Sequence, residues 1–264
     1  MAHHKPSARR PRQGKALIMF DRDKAPPGMG VFLAKLLSHS LLSTEDQAAI
    51  AALPHRTRHL EPNDYILREG ERSDICPVLR SGFAYRQKTT PDGGREIVAI
   101  KIPGDPLDFQ SMYLRIVDHN LQALTAVELT VIMISDFERL VQARPAIARA
   151  VMVDILIEAS IGRKWLLNNG RRNALARLAH LLCELHFRLD DTHLGGLDVR
   201  KMPLTQEQLA DVLGLTPVHV NRTLKALERS GSIVREGRGI RIADLDALIA
   251  VADFSDLYLH RDQS

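Results

Sequence analysis

Asn221, Arg222 and Lys225 lie close together in TPVHVNRTLKALERS, a run that reads as a helix, and their chemistry is that of recognising base-pair edges. A guanidinium presents two parallel N–H groups that match O6 and N7 of guanine. A carboxamide presents the donor and acceptor that match N7 and N6 of adenine, whereas an ammonium is a point charge suited to phosphate. Arg222 is the leading candidate for guanine, Asn221 for adenine and Lys225 for the backbone. Such groups discriminate only when a rigid element delivers them into the major groove, and a helix is narrow enough to do so.

The flanking residues predict that element. Thr205 is a good N-cap and Gln208 follows three residues later as in a capping box; Leu209, Ala210 and Leu213 share one face of a helix of about two turns. Gly214 falls where the chain must turn, Thr216 caps again, and Pro217 takes the first helical position, where its missing N–H costs nothing. Val220, Leu224 and Leu227 form the buried stripe of this second helix, leaving Val218, His219, Asn221, Arg222 and Lys225 pointing elsewhere. The spacing predicts a helix-turn-helix, although an ordinary helix pair with a solvated polar face has the same spacing. Residues 231–242 then read as a small hairpin bracketed by glycines. It is either a solvent-facing ribbon or a wing with Arg235, Arg238 and Arg241 available to phosphates.

Charge is distributed in keeping with a polyanionic partner. The net charge is +4, residues 1–15 hold five Lys/Arg and no acid, and residues 170–243 hold twelve Lys/Arg against eight Asp/Glu. The basic start reads as a disordered arm, either DNA-contacting or merely solubilising. With 264 residues and 45% hydrophobic content the chain is long and apolar enough for two folded domains. Its two cysteines, Cys76 and Cys183, support neither a disulfide framework nor a cysteine-rich metal site. No stretch is long and apolar enough to span a bilayer or serve as a secretory signal, so a cytoplasmic protein without a membrane partner is expected.

Residues 63–135 alternate short β-rich runs, at 65–67, 78–79, 83–87, 97–102, 121–124 and 131–134, with Gly, Pro and Asp clusters. That pattern predicts an antiparallel barrel or jelly roll, with a hairpin turn at PDGG over 91–94 and a helical segment at 136–143 after the last strand. Residues 145–168 then read as a helix apolar on more than one face, carrying Ile147, Val151, Ile155, Ile157, Ile161 and Trp165. A helix with two surfaces to bury packs one on its own barrel and offers the other to a second copy, or else is wholly enclosed in one monomer. A further helix over 173–188 should pack beneath the helix-turn-helix. The expected class is α+β: a basic arm over 1–30, a β-barrel or jelly-roll sensor domain over 31–144, a long central dimerisation helix over 145–169, a C-terminal winged helix-turn-helix over 170–250, and a tail over 251–264.

This order of parts resembles the Crp/Fnr transcriptional regulators over residues 38–245. The resemblance is carried by LTQEQLADVLGLTPVHVNRTLKALERSGSI, through Leu209, Ala210, Gly214, Val220, Arg222, Leu224 and Leu227, and by REGERSDICPVLRSGFA and PDGGREIVAIKIPGD in the sensor. It implies a homodimer on a palindromic promoter site, with double-stranded DNA and RNA polymerase as partners. By position it also implies Pro217, Val218, Asn221 and Arg222 toward bases and Gln206 near a phosphate.

The chain departs from the family pattern at the sensor. Cyclic-nucleotide-binding members typically carry Gly-Glu after the Gly-Asp turn and Arg-Ser further on, where this chain has Asp108-Phe109 and His119-Asn120. Where cyclic-AMP responders place Thr-Ser on the central helix, it has Gly162-Arg163. A histidine cannot clamp a phosphate as a guanidinium does, so ordinary cyclic-AMP binding is disfavoured. An iron–sulfur cluster is disfavoured too, because no cysteine precedes Cys76. The effector is unknown, and Asp108, His119, Asn120, Gly162 and Arg163 are the candidate pocket. In the recognition helix Pro217 and Val218 replace an arginine and a glutamate; Val218 offers a methyl contact for thymine, and His219 lies near base or phosphate.

Among the eleven histidines, His119, His180 and His186 lie near apolar segments, but no cluster has zinc-ligand spacing and no metal site is assigned. No phosphate-cradling glycine loop, nucleophile elbow or zinc-protease signature occurs, so no catalytic residue is assigned and an enzyme is not expected. The competing class is a sensory or scaffold module that does not bind DNA and whose C-terminal domain contacts protein.

Overall fold

A computed structural model describes residues 28–191, 198, 200–237 and 239–261; most of the expected arm over 1–30, the last residues of the tail and Arg238 of the hairpin lie outside them. Two short helices, α1 (Gly30–Leu37) and α2 (Thr44–Ala51), lead into seven strands: β1 (His55–Leu60), β2 (Tyr65–Leu67), β3 (Ile75–Ser81), β4 (Ala84–Thr89), β5 (Arg95–Lys101), β6 (Asn120–Ala123) and β7 (Val127–Met133). They form two antiparallel sheets, ordered β1-β7-β3 and β2-β6-β4-β5. Leu79, Leu107, Leu121, Leu129 and Val131 are buried together between them. Strand β1 was not foreseen. Its sequence HRTRHL has no apolar alternation, and four of its six residues are exposed.

Helix α3 (Ile134–Ala143) precedes the central helix α4 (Pro145–Arg171), whose 27 residues give a rod of about 40 Å. Its inward stripe is Ile147, Ala150, Val151, Asp154, Ile157 and Ser160. A second, outward stripe of Met152, Leu156, Ala159, Arg163 and Leu166 recurs at alternating steps of four and three and is solvent-exposed. That is the spacing of a coiled-coil seam, facing away from the chain's own core.

The remainder is α5 (Ala174–Asp191), β8 (Lys201–Met202), α6 (Gln206–Leu213), α7 (Pro217–Arg229), β9 (Ile233–Glu236), β10 (Gly239–Ile242) and α8 (Leu245–Ala252). The last three strands form one small sheet, β8-β10-β9. The expected tail after 250 is not loose where it is described: a 3₁₀ turn at Leu257–Leu259 packs on α4 and buries Leu259. Phe83, Tyr85, Ile97, Ile100 and Ile102 of the sensor share one apolar cluster with Leu178, Leu181, Leu185, Leu209, Val220 and Leu224. The sensor sheet and the helix-turn-helix are thus packed on a common core around α5.

Candidate nucleic-acid interface and sensor site

The helix-turn-helix is built by local hydrogen bonds. Thr205 and Gln208 close a full capping box at the start of α6, and Gly214 ends it in the left-handed region with φ 59°. The Leu215 N–H returns to Ala210 O at 3.0 Å across the turn. Thr216 then caps α7 by accepting from the His219 N–H, with Pro217 at the first turn. Arg177 of α5 donates to Leu213 O at the end of α6 and to Arg172 O and Asn169 O at 3.1 Å, tying the motif to the end of the central helix. Val220, Thr223, Leu224 and Leu227 are buried beneath α7.

On the opposite face Pro217, Val218, Arg222 and Lys225 are exposed, Val218 by 81%, and His219 and Asn221 are half-buried. With Gln206 at the start of α6 and Arg229, most of them line one shallow open depression. Arg222 and Lys225 form no hydrogen bond or ion pair among the described residues. Two wing arginines differ from expectation: Arg235 pairs with Glu228 at 2.8 Å and Arg241 with Glu236, so neither guanidinium is unengaged. Asn221 Nδ2 donates to Gln206 Oε1 at 2.9 Å, linking the two helices. Gln206 therefore sits beside the Asn221 carboxamide.

In the sensor, Asp108 is 1% exposed and accepts from Ser111 Oγ. His119 is also buried; its Nδ1 lies 2.7 Å from Asp118 Oδ1 and its Nε2 has no hydrogen-bond partner among the described residues. Burial, and then Arg86, push its pKa below the ordinary histidine value. Asn120 Oδ1 accepts the Glu69 N–H at 3.1 Å. Gly162 and Arg163 are not brought to this group. Both are exposed on α4, and Arg163 has no polar partner among the described residues. At this level Asp154 and Ile157 are buried, Glu158 meets the sheet, and Arg163 falls on the outward stripe.

Glu158 does reach from α4 to the sheet, and sequence reasoning missed it. It takes Arg86 Nη1 and, at 2.7 Å, Lys101 Nζ, while Arg86 Nη2 donates to Leu107 O at 2.7 Å. Burial alone would raise the Glu158 carboxyl, but Lys101 and Arg86 bring it down to about 2.

The comparisons with known proteins fall on these two regions. Residues 57–144 match the cyclic nucleotide-binding domain and residues 176–251 the Crp-like helix-turn-helix domain. The chain is 30% identical over 217 residues to the nitrogen fixation regulation protein FixK of Bradyrhizobium diazoefficiens, covering 81% of this chain and 90% of that one. The chain belongs to the Crp/Fnr family of transcriptional regulators. Another family member, the transcriptional activator protein FnrL of Cereibacter sphaeroides, is 29% identical over 204 residues, 75% of this chain and 82% of its own. Among solved structures, FixK2 of Bradyrhizobium japonicum matches with a TM-score of 0.68 at 22% identity, covering 77% of this chain and all of that one. The Crp/Fnr assignment makes the chain a DNA-binding regulator rather than an enzyme.

Residues of this Crp/Fnr chain do not fit a cyclic nucleotide in the way the domain's name implies. Phe109, at the position where the resemblance puts a ribose-binding carboxylate, is buried and stacks on Phe137 at 5.3 Å. His119 and Asn120 stand where the phosphate clamp is required, and a lone imidazole is no substitute for a bidentate guanidinium. A four-thiolate iron–sulfur cluster does not fit either, because the chain has two cysteines and both are buried. Burial pushes the Cys183 thiol up to about 12 and Cys76 higher still, the opposite of what ligation by thiolate needs. The histidine at 180, another ligand candidate, is already held between Arg172 and Tyr258.

Proposed function

We propose that the chain acts as a cytoplasmic homodimer that binds a palindromic promoter site, one α7 in each of two successive major grooves. What supports this reading above all is Arg222: an exposed guanidinium without an ion-pair partner among the described residues, on the outer face of a capped helix whose inner face is packed. In this arrangement Arg222 reads guanine, Asn221 adenine and Val218 a thymine methyl, while His219 and Pro217 border the same bases and Lys225 meets a phosphate. Gln206 belongs to the same surface.

The outward stripe of α4 supplies the second half of the proposal. Met152, Leu156 and Leu166 are 51%, 57% and 76% exposed, a cost that a parallel copy of the same helix removes. Gly162 and Arg163 then lie along the dimer seam, and Asp108, His119 and Asn120 remain a candidate for signal entry in the barrel, with Glu158 linking it to the helix. The signal is not an ordinary cyclic nucleotide. RNA polymerase is the expected further partner, since relatives such as FnrL are named as transcriptional activators.

Selection from a pool of randomised duplexes, followed by footprinting of the winner, tests this reading. Two protected half-sites centred about 34 Å apart, in a complex containing two chains, are expected. Enrichment of no sequence, or protection of a single half-site by one chain, contradicts it.

A further inference from the structure

We propose that Gln206 is a positioning residue that makes Asn221 an adenine-specific reader, an inference that rests on the DNA-binding reading above and deepens it. The observation is the hydrogen bond from Asn221 Nδ2 to Gln206 Oε1 at 2.9 Å, made between side chains of the two helices of the motif at the edge of the depression that Val218 and Arg222 also line.

The chemistry follows from the geometry of a carboxamide. Of its two amide hydrogens, one lies on the same side as the carbonyl oxygen and the other on the far side. Giving Gln206 the far hydrogen leaves the near hydrogen and Oδ1 side by side as a donor–acceptor edge. That edge matches N7 and the N6 amino group of adenine and no other base in the major groove. An unrestrained asparagine can rotate its amide by half a turn and present the two atoms reversed, in which order they suit the acceptor and donor edges of other pairs. With Gln206 Oε1 beside Nδ2, turning the Asn221 amide alone would set two oxygens against each other, so its order reverses only if both amides turn together, a route that Gln206→Glu closes.

The backbone of Gln206 is rigid. This residue is anchored at the first turn of α6 by the Thr205–Gln208 capping box, so its backbone is held independently of DNA. The pair thus converts the rigid start of α6 into a stop for a side chain on α7. It assigns Gln206 a role in specificity instead of the phosphate contact that its position in the family implies. Arg222 has no such restraint and needs none, because both of its N–H edges donate.

The test uses the full chain and duplexes in which each base pair of the selected half-site is substituted in turn. Wild-type protein should prefer adenine at one position by about tenfold, within the range of a bidentate base contact, and 7-deazaadenine there should abolish the preference. Asn221→Ala and Gln206→Ala should flatten that same position while leaving the guanine preference due to Arg222 and the salt dependence unchanged. Gln206→Glu keeps the acceptor oxygen and adds a negative charge, so it should retain the adenine preference while binding every duplex more weakly. The proposal is overturned if Gln206→Ala weakens all duplexes by one factor with the preference intact, as a backbone contact would, or if Asn221→Ala does not affect adenine preference. A wild-type chain that selects no sequence at all overturns the underlying DNA-binding reading.

Discussion

Arg188 of α5 and Asp105 of the turn after β5 meet at 2.8 Å in the interior, joining the helix-turn-helix domain to the sensor through a buried ion pair. Arg188 also donates to Ile100 O at 3.1 Å, and Asp105 takes Lys35 Nζ of α1 at 3.2 Å as well as the Ile102 N–H. Burial by itself would raise the Asp105 carboxyl, but Lys35 and Arg188 hold it well below the usual carboxylate range. Lys35 lies 3.9 Å from Asp154, so the central helix enters the same network.

Removing one partner from such a network strands the others. Asp105→Ala leaves Arg188 only the longer ion-pair contact with Glu184 at 3.5 Å and Lys35 only Asp154 at 3.9 Å, and should destabilise the chain by about 3–5 kcal/mol in urea unfolding. A loss below about 1 kcal/mol for Asp105→Ala would show that the pair is not closed from water.

His180 should make stability fall on mild acidification. Arg172 Nη1 donates to its Nδ1, which assigns the remaining proton to Nε2, beside Tyr258, whose hydroxyl donates to Glu184 Oε2 at 2.8 Å. A second ring proton would point at the Arg172 guanidinium. Burial first, and then Arg172 and Lys164, bring its pKa from 6.5 down to about 3. The neutral ring therefore contributes stability that is full above pH 6.5 and is lost as pH falls toward 3. Between pH 7 and pH 5 this costs about 2 kcal/mol. His180→Gln should flatten the pH dependence of the melting temperature over that range; an unchanged slope would place the proton uptake elsewhere.

Leu156→Lys sets a charge in the middle of the outward stripe of α4 without touching its inward face. Sedimentation velocity should show a monomer that retains its helical circular dichroism. A persistent dimer would move the interface off this stripe.

The legible parts were those encoded locally. The caps Thr205, Gln208, Thr216 and Pro217 and the turn at Gly214 each act within a few residues, and the predicted helix pair appears where they place it. The hairpin turn at residues 91–94 and most sensor strands are local in the same sense. The ion pairs are not. Lys35, Asp105 and Arg188 are far apart in the chain and have no periodicity, and Glu158 looks like any polar residue on a helix. The ion pairs of Arg235 and Arg241 were not legible because their partners Glu228 and Glu236 become neighbours only when α7 and the β9-β10 ribbon are folded. Gly162 and Arg163 were placed by family position, and the rotation of α4 takes Arg163 away from the barrel.

The central claim is that α7 reads DNA through Arg222, and fluorescence anisotropy of Arg222→Ala on the selected duplex tests it most directly. The account predicts a loss of about 1–3 kcal/mol against the guanine-bearing site and little loss once that guanine is replaced. Equal affinity of wild type and Arg222→Ala for the guanine-bearing duplex would contradict it.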